Sequence, residues 1–183
     1  KIILLYPSGK VSKIQEKQLT TIGHNITALE IKGTFDDCQK LVKTAFTDKE
    51  LNEKLMLSSA NSINIARLIP QTFYYFYAYA QIIKKWQKSS SKKSPPKVIF
   101  SVPSGNFGNL TAGLIAKKMG LPIEKFIAAT NANDIFPKYL ATGKFSPKPS
   151  KKTISNAMDV GNPSNFARII ELYHHNLQKR GII

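Results

Sequence analysis

Short runs of apolar residues alternate along this chain with segments whose apolar positions recur at helical spacing. Lys1 to Tyr6 reads as a buried strand, with Ile2-Ile3-Leu4-Leu5-Tyr6 as its continuous apolar run, and a turn follows at Pro7-Ser8-Gly9. The pattern Ser12-Lys13-Ile14-Gln15 then marks a helix start of capping-box type, and Gly23 ends that helix. A second strand is predicted over Ile26 to Ile31. Behind Gly33, a second capping pattern, Thr34-Phe35-Asp36-Asp37, precedes Cys38, Leu41, Val42 and Ala45 at helical spacing. Thr47-Asp48-Lys49-Glu50 opens a further short helix. A long one is predicted from about Ile63 to Trp86, with the aromatic stretch Phe73-Tyr74-Tyr75-Phe76-Tyr77 buried between layers and a kink or break at Pro70. Residues 84–97, KKWQKSSSKKSPPK, are polar and of low complexity and predict a surface loop. Val98 to Val102 predicts a strand and Leu110 to Met119 a helix, which Gly120 and Pro122 stop before a strand over Phe126 to Thr130.

Strands alternating with helices imply an α/β fold with a parallel sheet and helices on both faces, because parallel strands need crossover connections. The 183 residues suit one domain or part of a larger one, in which two α/β subdomains have room to form. Hydrophobic residues make up 42% and charged residues 21%, and no apolar run is long enough to span a bilayer. A soluble protein without membrane attachment is the expectation. Cys38 is the only cysteine, so an intrachain disulfide is impossible and a reducing, cytoplasmic setting is the default reading. The net charge of +16 could attract nucleic acid, but the lysines are spread along the chain and no stripe alternates basic with aromatic residues. A solvated lysine-rich surface accounts for the charge, and no nucleic-acid partner is expected.

The stretch VPSGNFGN, Val102 to Asn109, lies between a predicted strand and a predicted helix, where open α/β sheets bind ligands. Gly105 and Gly108 let a ligand approach the main chain closely. The unpaired N–H groups at the following helix start sit at its positive dipole end. Ser104, Asn106 and Asn109 can add side-chain donors, so a phosphate cradle is one reading of this loop and a tight strand-to-helix turn is the other. Neither the nucleotide P-loop nor the dinucleotide fingerprint is present. A second constellation, Asn61-Ser62-Ile63-Asn64-Ile65-Ala66-Arg67, sets two small polar residues ahead of an arginine able to grip phosphate or carboxylate with paired bonds. Read alone, it is a helix cap and a surface salt-bridge partner.

The two constellations together, with YPSGKVSKIQEKQLTTIG, FIAATNANDIFPKYL and SNAMDVGNPSNFARIIELY, run through nearly the whole chain, and the sequence resembles the threonine synthases. That resemblance implies a fold-type-II pyridoxal-phosphate enzyme, a lyase of threonine biosynthesis that converts O-phosphohomoserine and water into threonine and phosphate. It implies that Ser104, Gly105, Asn106, Phe107, Gly108 and Asn109 hold the cofactor phosphate, and that Asn61, Ser62 and Arg67 hold the substrate phosphate. Met158 and Asp159 lie in a characteristic stretch and are expected to pack near the site. His24, His174 and His175 match nothing catalytic, and their spacing offers no metal set. The family's cofactor-bearing lysine sits in a Phe-Lys-Asp segment that this sequence lacks. The catalytic lysine is therefore unknown, and the resemblance implies the central part of a larger enzyme, inactive by itself. A related pyridoxal-phosphate enzyme of β-replacement or dehydratase type, an inactive fragment, and a lysine-rich RNA-binding module are the competing readings.

Overall fold

The computed structural model describes residues 1–89 and 94–173, so His174 and His175 lie outside the described residues. Strand β1 (Ile2–Pro7) leads through helix α1 (Lys13–Thr20) to β2 (Ile26–Ile31), then to α2 (Phe35–Thr47) and α3 (Lys49–Lys54). A 3-10 turn (Ile65–Arg67) runs into α4 (Leu68–Ser89), followed by β3 (Val98–Pro103), α5 (Gly108–Lys118), β4 (Ile123–Ala129), α6 (Ile135–Thr142), a 3-10 turn (Asn156–Met158) and α7 (Phe166–Leu172). The architecture is α/β with parallel strands, as the alternation predicts. The strands form two parallel pairs, β1 with β2 and β3 with β4. Helix α2 packs on β1, α1 on β2 and α5 on β4, and α4 lies along α5. The described core gathers Leu68, Tyr75, Val102, Phe107, Leu110, Ile123, Phe136, Phe166 and Ile169 around the β3–α5 junction. That junction therefore stands on the best-packed part of the molecule.

Several boundaries depart from the sequence reading, each for a local reason. Helix α4 carries on to Ser89 through residues assigned to the loop, because lysine and glutamine are good helix formers and leave its polar end helical. Within the loop 84–97, residues 90–93 lie outside the described residues, and 94–97 carry no regular structure. The expected irregularity at Pro70 falls just ahead of it, where the 3-10 turn gives way to α4. Pro70 is the third residue of α4, in a first turn whose N–H groups have no partner within α4, so its ring removes no bond internal to that helix. Strand β4 starts at Ile123, three residues early, with Lys97 Nζ and Glu124 Oε1 3.2 Å apart at the strand edge. Helix α5 starts two residues early, at Gly108. Helices α6 and α7 were not anticipated. The first capping box closes by half: the Gln15 N–H donates to Ser12 Oγ at 3.2 Å, but the Gln15 side chain accepts from Asn156 Nδ2 at 2.6 Å instead of returning to its own helix start.

The second capping box closes fully. The Thr34 N–H and hydroxyl donate to Asp37 Oδ2 at 2.7 and 2.8 Å, and these bonds hold the Asp37 carboxyl below the usual carboxylate range. A depressed native value means that this carboxylate stabilises the fold fully above its unfolded value of about 3.9, and ceases to as pH falls through the native value. The urea midpoint of Asp37→Asn should accordingly lie below wild type at pH 6, with the gap closing toward pH 2. A gap that stays constant with pH would remove the ionised carboxylate from the account.

Candidate functional site

Strand β3 ends at Pro103, and the chain is tied at once to its neighbour: the Ser104 N–H donates to Ala129 O at 2.8 Å, and Ser104 Oγ to Val102 O at 2.8 Å. Ser104 is 1% exposed, so its hydroxyl serves the buried strand end. Phe107 adopts a left-handed conformation (φ 60°), uncommon for a bulky residue and held here by burial of its ring 4.6 Å from that of Phe136. This turn delivers the chain into α5, whose first bond runs from the Thr111 N–H to Phe107 O at 2.8 Å. The main-chain N–H groups of Gly105, Asn106, Phe107, Gly108 and Asn109 take no acceptor among the described residues. Five consecutive main-chain donors without an acceptor at a helix start make a cradle of the kind that suits an anion.

Side chains in the loop are turned mainly toward the protein. Asn106 Nδ2 donates to Ser62 Oγ at 2.6 Å, and Asn106 Oδ1 accepts from the Ser164 N–H and hydroxyl at 2.6 and 3.0 Å. Asn109 Nδ2 donates to Pro103 O at 2.8 Å, and Asn109 Oδ1 accepts from the Leu110 N–H at 2.9 Å. Thus the amides and the Ser104 hydroxyl shape the cradle, and the free donors are main-chain ones. Tyr75, 2% exposed, donates from its hydroxyl to Asn109 O at 2.8 Å, and burial pushes that phenol above its ordinary range, so it remains a neutral donor.

The Asn61 segment lies directly against this loop. A Cβ on Gly108 would meet Ser62 Cβ at 3.1 Å and Leu68 Cδ2 at 3.6 Å. Asn61 Oδ1 accepts from the Ser62 N–H at 2.6 Å and from the Ser62 hydroxyl at 3.1 Å, and Asn64 Oδ1 caps the 3-10 turn by accepting from the Ala66 N–H at 3.0 Å. Arg67 is exposed, and its Nη1 donates to Ala60 O. None of the ion pairs among the described residues includes Arg67. The salt-bridge role that the residues alone suggested is therefore not filled among the described residues, and Ala60 O is the acceptor found there for the guanidinium.

A third segment closes over the cradle. The turn at Asn156–Met158 brings its backbone onto Gly105: a Cβ there would stand 2.7 Å from Met158 Cα and 3.1 Å from Met158 O. Asp159 anchors that turn. Its Oδ2 accepts from the Thr153 N–H at 2.8 Å, and its Oδ1 from Thr153 Oγ1, Asn131 Nδ2 and Asn133 Nδ2 at 2.6, 2.8 and 3.1 Å. The expectation that Met158 and Asp159 pack near the site thus acquires a geometry. Sequence reasoning passed over Tyr75, Asn131, Asn133, Ser164, Asn165 and Arg168. The last three lie in a stretch singled out for its resemblance, but their partners Asn106, Ser62 and Ile63 are 58 to 106 residues distant in sequence, beyond the reach of local spacing.

No protein-family model matches the chain. It is 51% identical to threonine synthase of Escherichia coli K12 over 177 residues, 97% of this chain and 40% of that one, and 53% identical to threonine synthase of Haemophilus influenzae over 175 residues, 96% and 39%. The chain thus spans about two fifths of the length of these relatives. Among solved structures, its fold superposes on threonine synthase from Escherichia coli with a TM-score of 0.86 at 51% identity, covering 97% of this chain and 40% of that one. On a threonine synthase from Brucella melitensis with pyridoxal phosphate bound, the TM-score is 0.74 at 43% identity, covering 97% and 36%. Half-identity along nearly all of its residues, on a backbone shared with the solved enzymes, makes this chain a homologue of the threonine synthases.

Proposed function

We propose that this chain carries the phosphate-handling part of a threonine synthase. The five free N–H groups of residues 105–109 hold the phosphate of pyridoxal 5'-phosphate, with Ser104, Asn106 and Asn109 shaping the loop. Asn61, Ser62 and Arg67 hold the phosphate of O-phosphohomoserine beside it. The observation that carries this reading is the adjacency of two loops, one with five main-chain N–H groups that take no acceptor among the described residues and one bearing an exposed arginine, joined by the Asn106–Ser62 bond. An enzyme whose cofactor and substrate both bear phosphate needs two such grips side by side, whereas a β-replacement or dehydratase enzyme acting on unphosphorylated amino acids needs one. When bound, the cofactor acts as the electron sink that lets the γ-phosphate leave and water add. The chain's own residues orient both phosphates and stabilise the charge on the departing one.

Phosphate release from O-phosphohomoserine, with pyridoxal phosphate added, tests the reading. It is expected from the complete reading frame around this chain and not from the 183 residues alone, which lack the Phe-Lys-Asp segment. Failure of the complete protein to release phosphate from this substrate would overturn the assignment.

A further inference from the structure

Arg168 lies on α7, away from both loops in sequence, yet its guanidinium reaches into the ground between them. Its Nη1 donates to Ser62 O at 2.7 Å and to Asn165 Oδ1 at 2.5 Å, and its Nη2 donates to Ile63 O. Asn165, with 0% exposure, passes the connection on by donating from Nδ2 to Asn106 O at 2.9 Å, and Asn106 Nδ2 returns it to Ser62 Oγ at 2.6 Å. Four residues from three separate segments thus form a closed circuit of hydrogen bonds. All three acceptors of Arg168 are neutral oxygens, so the guanidinium serves as a rigid fork that sets spacing.

The geometry points to Arg168 as a positioning residue that fixes the substrate-phosphate loop against the cofactor-phosphate loop. This inference rests on the function proposed above. Its two carbonyl partners belong to the residues that immediately precede the turn bearing Arg67, and its amide partner holds the main chain of Asn106 inside the cradle. Arg168 touches neither phosphate. It sets the distance and tilt between the two grips, so its loss should weaken both ligands at once and leave the chemical step largely intact. Lysine keeps the charge but presents donors from one atom and cannot span two carbonyls and an amide in a plane.

The test is Arg168→Met and Arg168→Lys in the complete protein. For Arg168→Met, the KM for O-phosphohomoserine and the dissociation constant of pyridoxal phosphate, read by absorbance, should each rise about 10-fold or more, with kcat within about 3-fold. Arg168→Lys should fall between that variant and wild type, and carries the test if Arg168→Met fails to fold. In a double-mutant cycle, Ser62→Ala should raise KM less in the Arg168→Lys background than alone. Unchanged KM and unchanged cofactor affinity in an active protein would overturn the role, as would a fall in kcat alone. If wild type releases no phosphate, the function reading falls by itself. The clamp is then read from amide exchange of residues 61–64, expected about 10-fold faster in Arg168→Lys; unchanged exchange overturns it.

Discussion

Gly105→Ala should lower the affinity for pyridoxal phosphate about 10- to 100-fold while the fold survives. The added methyl would stand 2.7 Å from Met158 Cα, where carbon atoms ordinarily rest about 3.5 to 4.0 Å apart, so something must shift by roughly an ångström. The obstacle is main chain and cannot rotate aside. On one side, the Asn156–Met158 turn is held through Asp159 by four donors and through Asn156 by Gln15. On the other, the loop 105–109 is held by Asn106 and by the left-handed Phe107. Both sides are tied, and the loop carries the five N–H groups without acceptors, so whatever share of the shift falls on it displaces the cradle. Gly108→Ala is the matched comparison, since its methyl would meet the Ser62 side chain at 3.1 Å, a contact relieved by a few tenths of an ångström. Cofactor titration by absorbance should rank Gly105→Ala well below Gly108→Ala. Equal affinities would mean that the Met158 turn does not confine the cradle.

That contact also marks where the sequence stopped being readable. The β3–loop–α5 unit could be recognised from local signals, because glycines, asparagines and a short apolar run act over a few residues. Helix α6 has no expectation set against it; Pro137 sits in its third position, where it removes no bond internal to α6. The end of α4 was missed because polarity in KKWQK was weighed above helix propensity. At the site, the residue types in both loops were legible but their directions were not. Asn106 and Asn109 look like ligand donors in a one-dimensional reading, and only the folded chain shows their amides turned to Ser62, Ser164 and Pro103. Arg168 was hidden for the same reason, since its partners, two main-chain carbonyls of a distant segment and the Asn165 amide, come together only in the folded chain.

Arg67→Ala should cut kcat/KM for O-phosphohomoserine by about 10²- to 10³-fold, the loss of one or two charge-assisted hydrogen bonds to the substrate phosphate. Loss should be greater than for Arg168→Lys, because the proposed function has Arg67 touch the anion and Arg168 only space the loops. In the structure Arg67 is exposed, spends one donor on Ala60 O, and is held at the end of a capped 3-10 turn, so the side chain is positioned without being neutralised. A guanidinium left free of acidic partners among the described residues meets an incoming phosphate without first breaking an ion pair. Most of the effect belongs in KM if the grip is equally strong before and after the phosphate begins to leave. It shifts into kcat to the extent that charge builds on the departing oxygen. Arg67→Lys separates charge from geometry: recovery of more than half of the lost free energy would assign the role to charge, and little recovery to the two-pronged fork. Wild-type kcat/KM in Arg67→Ala would place the substrate phosphate elsewhere and return this loop to a structural cap.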